Sequence, residues 1–163
     1  MKFTAKLVFA AVAIGAPVAA FAGTSSTTLP VSAIVMDNCT VVALPLAFGT
    51  LTDVGEENVD SSATLTLACT PNADYDISMD NGLNASSGVR RMKSATANEF
   101  LPYEIYTSNA RTQRWGNTSG TDTVSGSAPL GVASVTAFGR IPAGVAAVSA
   151  GSFSDTVTVT INF

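Results

Sequence analysis

The chain has 163 residues with 8 basic and 12 acidic groups, a formal charge of −4 and no histidine. The few cations are scattered, and holding phosphate needs clustered Lys and Arg, so nucleic acid is excluded as a partner. Without histidine there is no Ser-His-Asp or Cys-His arrangement and the commonest zinc ligand is missing, which removes most hydrolase chemistry.

In chain order, Lys2 and Lys6 give a positive start, an apolar run covers Leu7 to Val18, and Ala20-Phe21-Ala22 offers small residues around a cleavage point. That pattern predicts an export signal over 1–22, because a core of about a dozen apolar residues is too short for the roughly 20 of a spanning helix. Cleavage removes both lysines and no acid, leaving 6 basic against 12 acidic groups. The next segment, 23–38, opens on a soft Gly-Thr-Ser-Ser-Thr-Thr run. It then places Leu29, Val31, Ala33 and Val35 at every second position, on one face of an extended chain. By itself this is either a first strand or a free arm. Pro30, which lacks an N–H, must lie off the ladder or at a bulge.

The two cysteines, Cys39 and Cys69, belong to an exported chain, so one disulfide is expected rather than a metal site. Beyond Cys39 the sequence reads as short strands with period-two alternation and Gly or Asn punctuation, and no stretch reads as an amphipathic helix. Strands are expected over Val41 to Phe48, through Ala63, Leu65, Leu67 and Cys69, and through Tyr75, Ile77 and Met79 up to Asn81-Gly82. Others are expected over Leu101 to Thr107, over Ser134 to Arg140, and through Val157, Val159, Ile161 and Phe163. Asn117 to Ser127, small and polar, reads as a surface loop. Six or more short strands of this kind predict an all-β antiparallel sandwich in a single domain, 39–163.

Little remains for chemistry. Glu56-Glu57 or Asp74, Asp76 and Asp80 could in principle form a glycosidase pair or a calcium site, but Asp74 and Asp76 share a strand face beside Tyr75, for which a solvated edge is the simpler reading. Trp115 and Tyr106 could stack on a sugar, whereas a Trp beside a Gly is more often a packing anchor. No catalytic residue, cofactor or metal is expected.

Several pieces taken in order resemble one family. They are Phe48-Gly49 after the first cysteine, Asn81-Gly82-Leu83-Asn84 with Arg91-Met92 downstream, and Leu101-x-Tyr103-x-Ile105-Tyr106. Trp115-Gly116, Phe138-Gly139-Arg140-Ile141-Pro142 and the closing run Ala150 to Phe163 complete the set. The last is similar to a Gly-x-aromatic-x-Asp-Thr-Val ending. Together they resemble the spore coat protein U domain family, which includes subunits of Csu-type archaic chaperone-usher pili. The resemblance implies an incomplete immunoglobulin-like sandwich completed by a donated strand, with an acceptor groove beside Val157, Val159, Ile161 and Phe163. Leu29, Val31, Ala33 and Val35 would then be the donor strand. The implied partners are other pilin subunits, a periplasmic chaperone and an outer-membrane usher, and the implied place is a surface fimbrium serving adhesion and biofilm formation. Two other readings stand beside it: a secreted monomeric surface- or carbohydrate-binding sandwich, and a spore or cell coat component.

Overall fold

A computed structural model describes residues 23–163. The expected export signal, 1–22, lies outside the described residues. The chain divides into two units, one ending at Ile34 and the other spanning Val35–Phe163. Within the first, 23–34 forms no helix or strand, and the side chains of Leu29, Val31 and Ile34 are 84%, 88% and 92% exposed.

The second unit is all β, with no helix among the described residues. Its strands are β1 (Cys39–Ala43), β2 (Val59–Cys69), β3 (Ala73–Met79), β4 (Arg90–Ser94), β5 (Phe100–Tyr106), β6 (Val124–Ala128), β7 (Val132–Ile141), β8 (Phe153–Ser154) and β9 (Val159–Asn162). Six form one sheet in the order β1-β2-β7-β5-β4-β8, and three form another in the order β6-β3-β9. Every pairing is antiparallel.

Alternation puts one side of each strand inside. Leu65 and Leu67 of β2, Ile77 and Met79 of β3, Leu101, Tyr103 and Ile105 of β5, and Ala137 and Ile141 of β7 form one buried cluster with Trp115. Trp115 is fully buried and its indole Nε1 donates to Ile77 O at 2.8 Å. It is a packing anchor and offers no face to a sugar. Arg90 is buried as well, and its guanidinium donates to Asp80 O, Met79 O and Trp115 O and pairs with Glu104. A charge held there is tolerable because every donor has a partner.

Four sequence expectations need correction. The strand expected over Val41 to Phe48 ends at Ala43, after which Leu46 and Phe48 turn onto the core. Gly139 makes that possible: a Cβ on it would stand 2.7 Å from Leu46 Cδ2 and 3.0 Å from Phe48 Cζ. The loop expected over Asn117 to Ser127 contains the start of β6, whose Ser and Gly residues pair with β3 and take their order from that partner. β4, with its run of charged residues, is absent from the expected strands, since its strand character comes from pairing with β5. The strand expected through Val157, Val159, Ile161 and Phe163 is shorter, β9 covering Val159–Asn162 alone. Phe153–Ser154 pairs with β4 in the first sheet and Val159–Asn162 with β3 in the second.

Candidate functional site: a cleft beside the closing strand

The disulfide joins Cys39 to Cys69, residues facing each other across β1 and β2. Just ahead of it, Thr70 ties down the start of the unit. Its N–H donates to Asn38 O at 2.8 Å, and its Oγ1 accepts from the Asn38 N–H at 3.1 Å and donates to Met36 O at 3.4 Å. The chain preceding β1 is therefore rooted at the end of β2.

β1 covers only the Leu65–Cys69 half of β2. Beyond it, 44–58 runs without strand pairing, held by Leu44 N–H to Thr64 O, Ser61 Oγ to Ala47 O and Gly144 N–H to Gly55 O. Between this segment and the run Ala147 to Val159 lies a cleft of about 1230 Å³. Leu46, Phe48, Leu65, Leu101, Val157 and Val159 are among the residues that line it. The Phe48 ring meets Tyr103 edge-on, with centroids 6.2 Å apart. Most of the lining side chains are aliphatic or aromatic, with Thr50, Asp53, Glu56 and Ser152 adding polar ones, so the cleft can take aliphatic side chains.

The closing run also turns part of its backbone away from β3. Thr158 O accepts from Asp80 N–H, Thr158 N–H donates to Asp80 Oδ1, and Thr156 O accepts from Leu83 N–H. Because backbone polar groups alternate in direction along an extended strand, those of Val157, Val159 and Ile161 point the other way, towards the free edge of β9. Val157, Val159 and Ile161 thus offer side chains to the core and backbone groups to the side of β9 away from β3.

Of the four residues expected along the acceptor groove, Val157 and Val159 line the cleft. Ile161 packs against the core opposite Ile77. Phe163 is 56% exposed and sits by Asp74, Tyr75 and Asp76, away from the cleft. Of the expected donor residues, Leu29, Val31 and Val35 are exposed, Val35 at 81%, and Ala33 lies in the same unstructured run.

The carboxylates considered for metal binding do not converge. Asp74 and Asp76 lie on the outer face of β3, which is the central strand of its sheet and not an edge. The Asp76 carboxylate accepts from the Ser119 and Ser125 hydroxyls, and Asp80 is occupied by Thr158 and Gly82. No group of three potential ligands forms among the described residues. Desolvation works against ionisation of Asp76 and Asp80, yet the hydrogen bonds they accept outweigh it and hold both below the usual carboxylate range. Burial, then the hydrogen bond to Asp155, pushes the Tyr103 phenol far above its ordinary value, so it stays a neutral donor.

Sequence reasoning missed Tyr103, Asn84 and Asp155 as a connected group, although each stands inside one of the motif pieces. Separate in sequence, they meet where the closing run changes sheet: Tyr103 OH donates to Asp155 Oδ2 at 2.8 Å and Asn84 Nδ2 to Asp155 Oδ1 at 2.9 Å.

Two antiparallel sheets, a rooted leading segment and an apolar cleft beside a free edge define an immunoglobulin-like sandwich of the kind found among pilus subunits. The Spore Coat Protein U domain matches residues 25–160, and the chain belongs to that family. Protein U of Myxococcus xanthus is 33% identical over 111 residues, 63% of this chain and 59% of that protein. A chain in the CsuC–CsuE chaperone–tip adhesion subunit pre-assembly complex, from the archaic chaperone-usher Csu pili of Acinetobacter baumannii, is 31% identical with a TM-score of 0.57. That match covers 79% of this chain and 40% of that one. The HdaB minor tip subunit of the E. coli Hda pilus overlaps at 11% identity and a TM-score of 0.44, covering 75% of this chain and 79% of that one. The chain therefore spans little more than half of Protein U and less than half of the matched Csu chain.

Proposed function

We propose that this protein is a structural subunit of a chaperone-usher surface pilus and polymerises by donor-strand exchange. Its segment 23–38 fills the cleft of a neighbouring copy or a related subunit. The observation that carries this reading is the cleft itself, apolar within and flanked by the unpaired backbone of Val157 and Val159. An added strand would satisfy those backbone groups while alternate side chains fill the cleft and set the register. Leu29, Val31, Ala33 and Val35 have the required spacing and are free of any strand. Donor and acceptor are different surfaces of one subunit, so the contact is heterologous and extends without closing.

An open edge beside exposed apolar surface is an aggregation hazard. A periplasmic chaperone removes that hazard by occupying the cleft until an outer-membrane usher exchanges it for the next subunit. On this reading 1–22 is the export signal, 39–163 the pilin domain, and the destination an extracellular fimbrium supporting adhesion and biofilm formation. The role is structural and not catalytic. Deleting Gly23 to Val35 tests it. The truncated subunit should still be recovered with its chaperone but give no polymer ladder, and ladders of normal length from the deletion would refute donor-strand exchange.

A further inference from the structure

Three of the motif pieces, far apart in sequence, meet at one point beside the cleft. The closing chain leaves the first sheet at Ser154 and joins the second at Val159. Between them Asp155 accepts three hydrogen bonds: from Tyr103 OH on β5 at 2.8 Å, from Asn84 Nδ2 at 2.9 Å and from the Asn84 N–H at 3.1 Å. The segment Asp80 to Asn84 lies alongside, donating Asp80 N–H to Thr158 O and Leu83 N–H to Thr156 O. Gly82 adopts φ +80°, and a Cβ there would stand 2.1 Å from Asp155 Oδ2, so a glycine is required for the carboxylate to sit where it does. One carboxylate thus connects a strand of the first sheet, the loop leaving the second, and the chain passing between them.

We infer that Asp155 is a positioning residue for strand acceptance: gripped by Tyr103 and Asn84, it fixes the crossover and so presents the outward backbone groups of Val157 and Val159 in a ready-made edge. This rests on the acceptor role proposed for the cleft. Without the grip, the crossover must be ordered at the moment a strand enters, and that cost is subtracted from binding. A hydrogen bond of purely structural value would instead lower the stability of the empty and the filled subunit alike and leave strand affinity unchanged.

The test uses the full mature chain and a labelled peptide copying Thr24 to Asp37. Binding is followed by fluorescence anisotropy, the thermal midpoint is measured for empty and peptide-filled protein, and amide exchange is measured at Thr158. Tyr103→Phe removes one donor while keeping the ring against Phe48, and Asn84→Ala removes another at a second place. Each should weaken peptide binding about tenfold, ~1.4 kcal/mol, and speed Thr158 exchange in the empty subunit but not in the filled one. An unchanged Kd in both variants, whatever happens to the thermal midpoint, overturns the inference. If Tyr103→Phe does not fold, Asn84→Ala decides alone. If the wild-type chain takes up no peptide, the donor-strand reading fails separately. The grip is then judged by Thr158 exchange, and protection unchanged by the substitutions overturns it.

Discussion

Replacing Val31 with Asp tests the arm by its alternation and not only by its presence. Val31 is 88% exposed in the subunit, so the substitution removes no packing from the fold and should leave its stability within about 0.5 kcal/mol. In a neighbour's cleft the same side chain would be buried, contributing roughly 1.5–3 kcal/mol, and a carboxylate in its place adds a desolvation cost of several kcal/mol. Together these exceed ~4 kcal/mol, or about a thousandfold in strand affinity. Ile34 supplies the control. It is larger and even more exposed, at 92%, but lies on the opposite face of an extended arm. Ile34→Asp should cost the assembly about tenfold or less by the same conversion. The assay is polymer length on non-boiled gels, with thermal unfolding of the chaperone-released subunit as the control. If both substitutions block polymerisation equally, general stickiness and not a registered strand explains the arm. If Val31→Asp polymerises normally, the donor assignment is wrong.

Other outcomes follow from the folded unit. Cys39→Ser should lower stability by about 3.6 kcal/mol on the chain-entropy model, given the sequence separation of 30 between the cysteines, and should reduce periplasmic yield. Equal urea midpoints for mutant and wild type would contradict this. Trp115→Phe leaves Ile77 O without its donor and opens space in the core, and should cost about 2 kcal/mol in denaturant titrations. The depressed carboxyls of Asp76 and Asp80 set a pH dependence. Their stabilisation is fully present above the ordinary value of 3.8 and is lost as pH falls from there through the lower folded-state value. Thermal midpoints should therefore drop below about pH 4, and Asp80→Asn should flatten part of that slope. A flat midpoint through that range would show these hydrogen bonds to be worth little.

Local patterns made much of the fold legible. Leu65 and Leu67 announce β2, and Tyr75, Ile77 and Met79 announce β3, because their alternation is a property of the extended chain and needs no partner. β4 and β6 could not be read, because Arg90-Arg91 and the Ser-Gly-Ser of β6 carry no strand preference and are ordered by β5 and β3 across the sheet. The cleft was legible only in part. Val157 and Val159 stood out by period, but the break that sends Phe153 to one sheet and Val159 to the other leaves no trace in that period.

Sequence alone determined the pair of cysteines, the absence of histidine, and a leading segment whose apolar residues recur at every second position. These are matters of residue identity and spacing. Only tertiary structure decided that the closing run crosses between sheets, that Asp155 is gripped by Tyr103 and Asn84, and that the backbone of Val157 and Val159 faces an empty edge. A free edge is defined by which strands fail to pair, and pairing is settled by the assembled sheets and not by any one segment.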